Sequence, residues 1–475
     1  MEAKGAPRFG GRARTVTALV LLAVVIAAVC LWALPSAGSS PAVDLAAGFG
    51  DAGVVDVPAS EDIDNWAFGF QAASLPGGGI VVAGNKEVLA LGSGGVPVPG
   101  FGRDGIKRIG EDDGLRMEIE DVAVDDRGRI LLFGGATKPA DERESKGGRF
   151  PSQAVVMRLL PDGAFDRSFG RGGIVHDAFG VPVPSGEKPF VSADLGGVDG
   201  RGRPIFTLPT TYTGHFCDGV SPPYTATDQV RLERLRSDGS VDTGFDGDAI
   251  PAAFAGGSTG TALQVRGDGG TEIVAQSTAG CGERHELLIL RRRGNGSPDD
   301  GFGPEGVRSV RLVKPKATAP AGGGGTLILG PSPYRPDLDT KSAPIELLNA
   351  DGSLDRRFGS DGTATATIPD SHATFNAVLA DPRGRIYVVG TEGIEHVGRG
   401  DRDHSRIAVM RLSPDGDLDR SFGVEGLATA EVPGRFVHAR TAVLSGSKLI
   451  VVATGVPIDF HSNPEDLVLV AFKTS

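Results

Sequence analysis

The sequence predicts an all-β fold, a seven-bladed β-propeller with four-stranded antiparallel blades, and three observations carry that expectation. A Phe-Gly motif recurs seven times, at Phe49, Phe101, Phe169, Phe245, Phe302, Phe358 and Phe422, with Asp246 replacing the Gly in the fourth copy. Successive copies lie 52 to 76 residues apart and 53 residues follow the last, so each repeat has the length of one blade with variable insertions. The composition agrees: 72 Gly and 32 Pro supply turns, and 40% hydrophobic residues supply a core, unlike a disordered tract.

The first element is a leader. Lys4, Arg8, Arg12 and Arg14 precede an apolar run over 16–34 that only Thr17 interrupts, and Pro35 and small residues follow. Residues 1–40 therefore read as a signal peptide or signal anchor, and 41–475 as a single propeller. The run has 19 residues, long for a cleaved signal and just enough to span a bilayer, so cleavage near 37–39 and retention both stay open. Either fate places the rest of the chain outside the cytoplasm, secreted or in the cell envelope. Cys30 lies in the run, but Val29 before it is too large for an ordinary lipoprotein site.

Each repeat supplies four strands. The stretch 122–134 shows two apolar runs joined by an Asp-Asp-Arg-Gly-Arg turn, and 263–275, 377–390 and 442–455 repeat the pattern. Such pairs read as a hairpin of strands a and b. Strand c is the apolar run before each interior motif, as at 154–159, 230–235, 287–290, 345–348 and 407–412, and strand d follows Phe-Gly. The propeller part opens on a d strand, 53–57, and ends on a c strand, 466–472. Pairing them closes the ring and removes two exposed edges at once.

The fullest motifs, 161–173 and 414–426, contain Phe165-Asp166-Arg167-Ser168-Phe169-Gly170 and Leu418-Asp419-Arg420-Ser421-Phe422-Gly423, with further glycines at Gly173 and Gly426. These residues resemble the delta-60 repeat proteins, a bacterial group, and the resemblance covers nearly the whole exported part. The Asp-x-x-Gly-Arg-Ile hairpin is similar to that of NHL-type propellers. The resemblance implies a propeller and no particular activity. Copies at Phe101 and Phe245 depart from the pattern, through Pro99-Gly100 and Asp246, and irregular links are expected there.

Charge narrows the partners. The chain carries −12, and the first 43 residues hold four basic groups and Glu2, which leaves −15 for the exported part. That balance disfavours nucleic acid and anionic lipid, with the membrane contacted only through an uncleaved leader. A monomer that contacts an unknown protein or glycan is expected. Cys217 and Cys281 are the two cysteines after the leader, and such a pair in an oxidising compartment is expected to form a disulfide.

One Phe per repeat at a fixed turn reads as an anchor between blades. The pairs Asp162/Asp166, Asp351/Asp355 and Asp415/Asp419 offer oxygen ligands for calcium, yet they lack calcium-loop spacing and read as turn residues. The stretch 256–260 fits Gly-x-Ser-x-Gly without the helix a nucleophile elbow needs. No His spacing suggests a metal site, and no cofactor motif is present. The b–c connections, 136–152, 209–227, 277–285, 331–343 and 392–404, vary most and share one face. Recognition is expected there, through Tyr212, His215, Tyr224, His285, Tyr334 and His404. The function expected is an exported binding or scaffold propeller; the alternative is a hydrolase or lyase with a carboxylate and His site at the central channel.

Overall fold

The computed structural model describes residues 45–57, 70–112, 115–137, 153–176, 179, 189–212, 229–247, 259–277, 286–310, 315–332, 342–368, 371, 373–393, 405–458 and 466–475. They form seven antiparallel sheets. Blade 1 is Gln71–Leu75, Gly79–Ala83, Glu87–Leu91 and Ile106–Arg108. Blade 2 is Leu115–Val124, Ile130–Thr137, Gln153–Leu159 and Ile174–His176, with Glu111–Asp112 added beside its a strand. Blades 4, 5 and 6 keep the four-strand order, beginning at Thr259–Val265, Ala317–Pro320 and Thr374–Ala380.

Blade 3 is the irregular one. Its a strand is split into Pro189–Val191 and Gly196–Val198, both paired with Pro204–Tyr212, which in turn pairs with Gln229–Arg234. Among the described residues no d strand follows Phe245; only the Gly247 carbonyl accepts the Leu232 N–H, at 3.2 Å. The expected irregularity at Phe245 is therefore present, whereas Phe101 is buried and its d strand forms normally.

Blade 7 closes the ring. Arg435–Ser445, Lys448–Pro457 and Asp466–Lys473 are joined by Val54–Val57, with Val54 opposite Val470 and Val57 opposite Leu467. Arg435 also reaches across to Asp56, at 2.9 Å. The a strands touch their neighbours in an unbroken circle from blade 1 to blade 7 and back to blade 1.

Most sheets lie between two others, so their middle strands are apolar on both faces. Ile130–Thr137 and Ile386–Glu392 are buried at every position. The core is accordingly a set of layers between blades, such as Val81, Val88 and Phe101 of blade 1 against Ile119, Ile130 and Leu132 of blade 2.

The Phe-Gly motif is the joint between blades. Phe49, Phe101, Phe169, Phe302, Phe358 and Phe422 are at most 2% exposed; Phe245 alone is half-buried. A side chain on Gly163 or Gly352 would strike the Phe101 or Phe302 ring of the preceding blade, so each Phe sits under the next blade's c–d turn. The residue after Phe donates its N–H to that same turn: Gly50 to the Gly94 carbonyl at 2.8 Å, Gly170 to Asp238 at 2.8 Å, Gly359 to Asp415 at 2.7 Å. Asp246 keeps this bond, to Asn295 at 2.9 Å, and lacks the positive φ of Gly50, Gly170 and Gly359, which is why a non-glycine is tolerated there.

Four blades add a cation. Arg158, Arg234, Arg291 and Arg411 lie 4.3 to 4.7 Å from the ring centres of Phe169, Phe245, Phe302 and Phe422. Arg158 also binds Asp166 of its own blade at 2.9 Å and the Ser237 carbonyl of the next at 2.7 Å. Asp162 and Asp166 thus serve as turn carboxylates, with Asp162 accepting the Ala164 N–H at 3.0 Å and Asp166 that of Ser168 at 3.0 Å.

Candidate ligand site in the central channel

The a strands line the axis, and each ends in a turn that fixes its register. In five blades a residue donates its N–H to the carbonyl four positions on: Asp125, Asp199, Arg266, Ala321 and Asp381, at 2.8 to 3.1 Å. Counting back five residues from each reaches one equivalent position, Glu120, Asp194, Thr261, Lys316 and Asn376. At Glu120, Thr261 and Asn376, and at Arg440 in blade 7, the a–b register slips by one residue. A bulge of this kind leaves its extra residue out of the ladder and re-aims its side chain. In blade 3 the same place is the break that contains Asp194, and in blades 5 and 1 it lies just before the strand, at Lys316 and Phe70.

A cavity of about 560 Å³ occupies the axis and is lined from all seven blades, including Gln71, Asp121, Leu195, Ala262, Lys316, Asn376 and Arg440. Because a strands run from the d–a connection toward the a–b turn, the bulge ring lies toward the face from which the b–c connections leave.

Its charges are sorted. Blade 2 contributes Asp121 to the cavity wall, with Glu118 and Glu120 next to it on the same strand, and in blade 3 Asp194 immediately precedes the lining residue Leu195. Asp121 accepts the N–H of Val122 and that of Gly196 in the next blade, both at 2.8 Å, and so joins the two inner strands. Burial pushes Asp121 up to about 7 despite those two bonds, with Glu120 adding repulsion. Glu120 is also raised to about 7, by burial and then by the carboxylates of Asp194 and Glu118. Its side chain is exposed yet its surroundings desolvate the charge, so it is accessible and poorly solvated together. Burial raises Asp194 as well.

The opposite arc is basic. Lys316 and Arg440 are exposed to the channel, and His438, two residues before Arg440, is pushed down to about 4 by burial and then by these two cations. Between them Asn376 donates from Nδ2 to the Ala439 carbonyl at 2.7 Å, tying blade 6 to blade 7.

Residues 384–422 match a family described as "Domain of unknown function (DUF5122) beta-propeller". The matched stretch runs from the a–b turn of blade 6 to its buried Phe422. No curated protein matches the chain. Among solved structures, a protein of unknown function from Dyadobacter fermentans is 12% identical with a TM-score of 0.38, over 74% of this chain and 93% of that one. Polysaccharide lyase Uly1 is 10% identical with a TM-score of 0.43, over 92% and 98% of the two chains. A glucose dehydrogenase is 15% identical with a TM-score of 0.36, over 71% and 95%. Likenesses this remote do not bear on activity.

Of the residues expected to bind a ligand, Tyr212 ends the b strand Pro204–Tyr212, opposite Pro189. His215, Tyr224, His285, Tyr334 and His404 lie outside the described residues, as do Cys217 and Cys281. The channel ring was not among the expected site residues. Its signal in the sequence is positional: one residue per repeat, five before the a–b turn, that changes identity from blade to blade while the turn and Phe-Gly residues recur.

Proposed function

We propose that this protein is an exported ligand-binding propeller of the delta-60 repeat type, whose site is the mouth of the central channel on the b–c face. One observation carries the reading. Positions that build the joints repeat, whereas the bulge ring reads Phe70, Glu120, Asp194, Thr261, Lys316, Asn376 and Arg440 around the axis. Phe70 packs in the core and Asn376 ties blade 6 to blade 7, whereas the charges on Glu120 and Lys316 are available for recognition on a rigid support. A cavity of about 560 Å³ is in the size range of small-molecule sites. The b–c connections, with Tyr212 at the root of one and Cys217 and Cys281 proposed to be bridged, would surround that mouth. The negative charge supports the proposal that nucleic acid and lipid surfaces are not partners, and that the ring acts as a monomer.

The test is a thermal-shift panel of monosaccharides, oligosaccharides, uronates, amino acids and short peptides against the wild type and Ala262→Trp, which places an indole in the channel wall to obstruct it. Stabilisation by a compound in the wild type that disappears in the variant is expected. Shifts that survive the substitution would place binding elsewhere.

A hydrolase or lyase reading has one observation of its own: two carboxylates, Glu120 and Asp121, held at about 7 and therefore able to exchange protons near neutrality. It requires new reducing ends or unsaturated sugars from neutral or uronate polysaccharides, lost in Glu120→Gln. An absence of products across such substrates would remove it.

A further inference from the structure

Resting on the channel-mouth reading, we infer that the ligand is a zwitterion of short-peptide size, its cationic end against blades 2 and 3 and its anionic end against blades 5 to 7. Elsewhere in this chain opposite charges are neutralised in place: Arg158–Asp166, Arg234–Asp242, Arg291–Glu272 and Arg411–Asp419 pair at 2.5 to 2.9 Å. Three charged groups near the axis are left out of such pairs. Glu118, Glu120 and Lys316 make no ion pair and no side-chain hydrogen bond with another described residue.

The arrangement is unfavourable for the empty ring. Glu118, Glu120 and Asp194 repel one another, and Lys316 and Arg440 bear on His438. Fold stability does not call for this grouping, because the same hairpin position is neutral in Phe70, Thr261 and Asn376. Exchanging Glu120 with Lys316, both exposed, would relieve the repulsion without disturbing a core residue. The order actually present puts acid on blades 2 and 3 and base on blades 5 and 7, with blades 1 and 4 neutral between the arcs. On a seven-membered ring the midpoint of blades 2 and 3 lies opposite blade 6, so the two arcs lie on opposite sides of the axis, with Asp121, Lys316 and Arg440 on the cavity wall itself. Such a field favours a guest that carries both signs at its two ends and disfavours one that carries a single sign.

The probes are tripeptides of Gly, Leu, Phe, Ser, Lys and Glu with free termini, the same peptides acetylated at the N-terminus, amidated at the C-terminus, or both, and a set of neutral and uronate oligosaccharides. Binding to the full chain is followed by calorimetry. At least one free-ended tripeptide should bind, and blocking either end should weaken it by about tenfold or more, the size of a lost charge-assisted hydrogen bond. Glu120→Gln should weaken the free peptide while leaving the acetylated one unchanged, and Lys316→Met should do the same with respect to the amidated one. Glu120→Asp and Lys316→Arg, which keep the charge, should retain binding and so separate loss of recognition from loss of folding. Failure of every free-ended peptide to bind, or equal affinity of blocked and free forms, overturns the zwitterion. If an oligosaccharide binds instead and Glu120→Gln or Lys316→Met weakens it, the channel site stands without the zwitterion. If no probe responds to either substitution, both fall.

Discussion

A guanidinium lies under a benzene ring at four of the seven joints, and the remaining joints show what it replaces. Arg158 receives the Asp166 N–H on its carbonyl and donates its own N–H to Gly173; Ala90 stands in the same relation to Val98 and Gly105 in blade 1. In blade 1 the joint therefore closes with small apolar residues in place of the ion pair. Arg158→Met removes the cation 2.9 Å from the Asp166 carboxylate, 9% exposed, and leaves only Arg129 at 3.7 Å, so it should cost about 2 kcal/mol in a urea melt. Arg158→Ala with Asp166→Val copies blade 1 and should recover most of that loss. A double variant less stable than the single would refute the equivalence. In the channel, Glu120 keeps its proton to about 7 in the fold against 4.5 in an unfolded chain. Its raised value contributes stability that is present in acid and is lost as the pH rises through about 7. Glu120→Gln abolishes this titration, so the variant should gain stability relative to wild type between about pH 5 and about pH 8. His438 is shifted the opposite way, but its contribution cancels in the difference. A flat difference across that interval would mean that the carboxylate is better solvated than its surroundings imply.

At the level of elements, the Phe-Gly-x-x-Gly turn separates two kinds of left-handed residue. Gly170 has φ +51° and a Cβ on it would lie 2.3 Å from the Ile174 carbonyl oxygen. Gly172 has φ +69° with nothing within 4 Å, and other repeats place Ala52, Asp104, Glu305, Asp361 or Glu425 there at φ 50° to 54°. Gly170→Ala should destabilise by on the order of 3 kcal/mol and Gly172→Ala by about 1 kcal/mol, compared by chemical denaturation. Similar losses at both sites would show that the close approach is not what selects glycine. These turns explain how far the sequence could be read. The counterpart of Phe169 recurs in all seven repeats, that of Gly170 in six and that of Asp166 in five, at fixed spacing because they build the joints, so blade number, strand order and closure are legible. Arg158 was not, since a lone cation in an apolar strand looks like a solvent-facing residue until the neighbouring blade is in place. The channel ring is harder still: Glu120, Lys316 and Arg440 share a position and no chemistry, and only the turn register aligns them. Tyr212 and its companions were chosen for loop variability, a signal that says where a chain varies without saying what it touches.

The ring as a whole depends on one pairing between distant parts of the chain, residues 54–57 with 467–470. Removing residues 45–57 leaves the outer strand of blade 7 unpaired and withdraws Asp56 from Arg435. The truncated protein should denature at lower urea and self-associate by size-exclusion chromatography, and a synthetic peptide of residues 45–57 should reverse both. A truncated chain that stays monomeric and equally stable would show that blade 7 holds without its borrowed strand.

The borrowed strand also sets a timetable. Residues made first find their partner only when the last are available, so contacts at that seam have the highest contact order in the molecule and must form late. Weakening them should hasten opening while hardly slowing assembly, and the protein's lifetime, more than its rate of maturation, is what this latch governs.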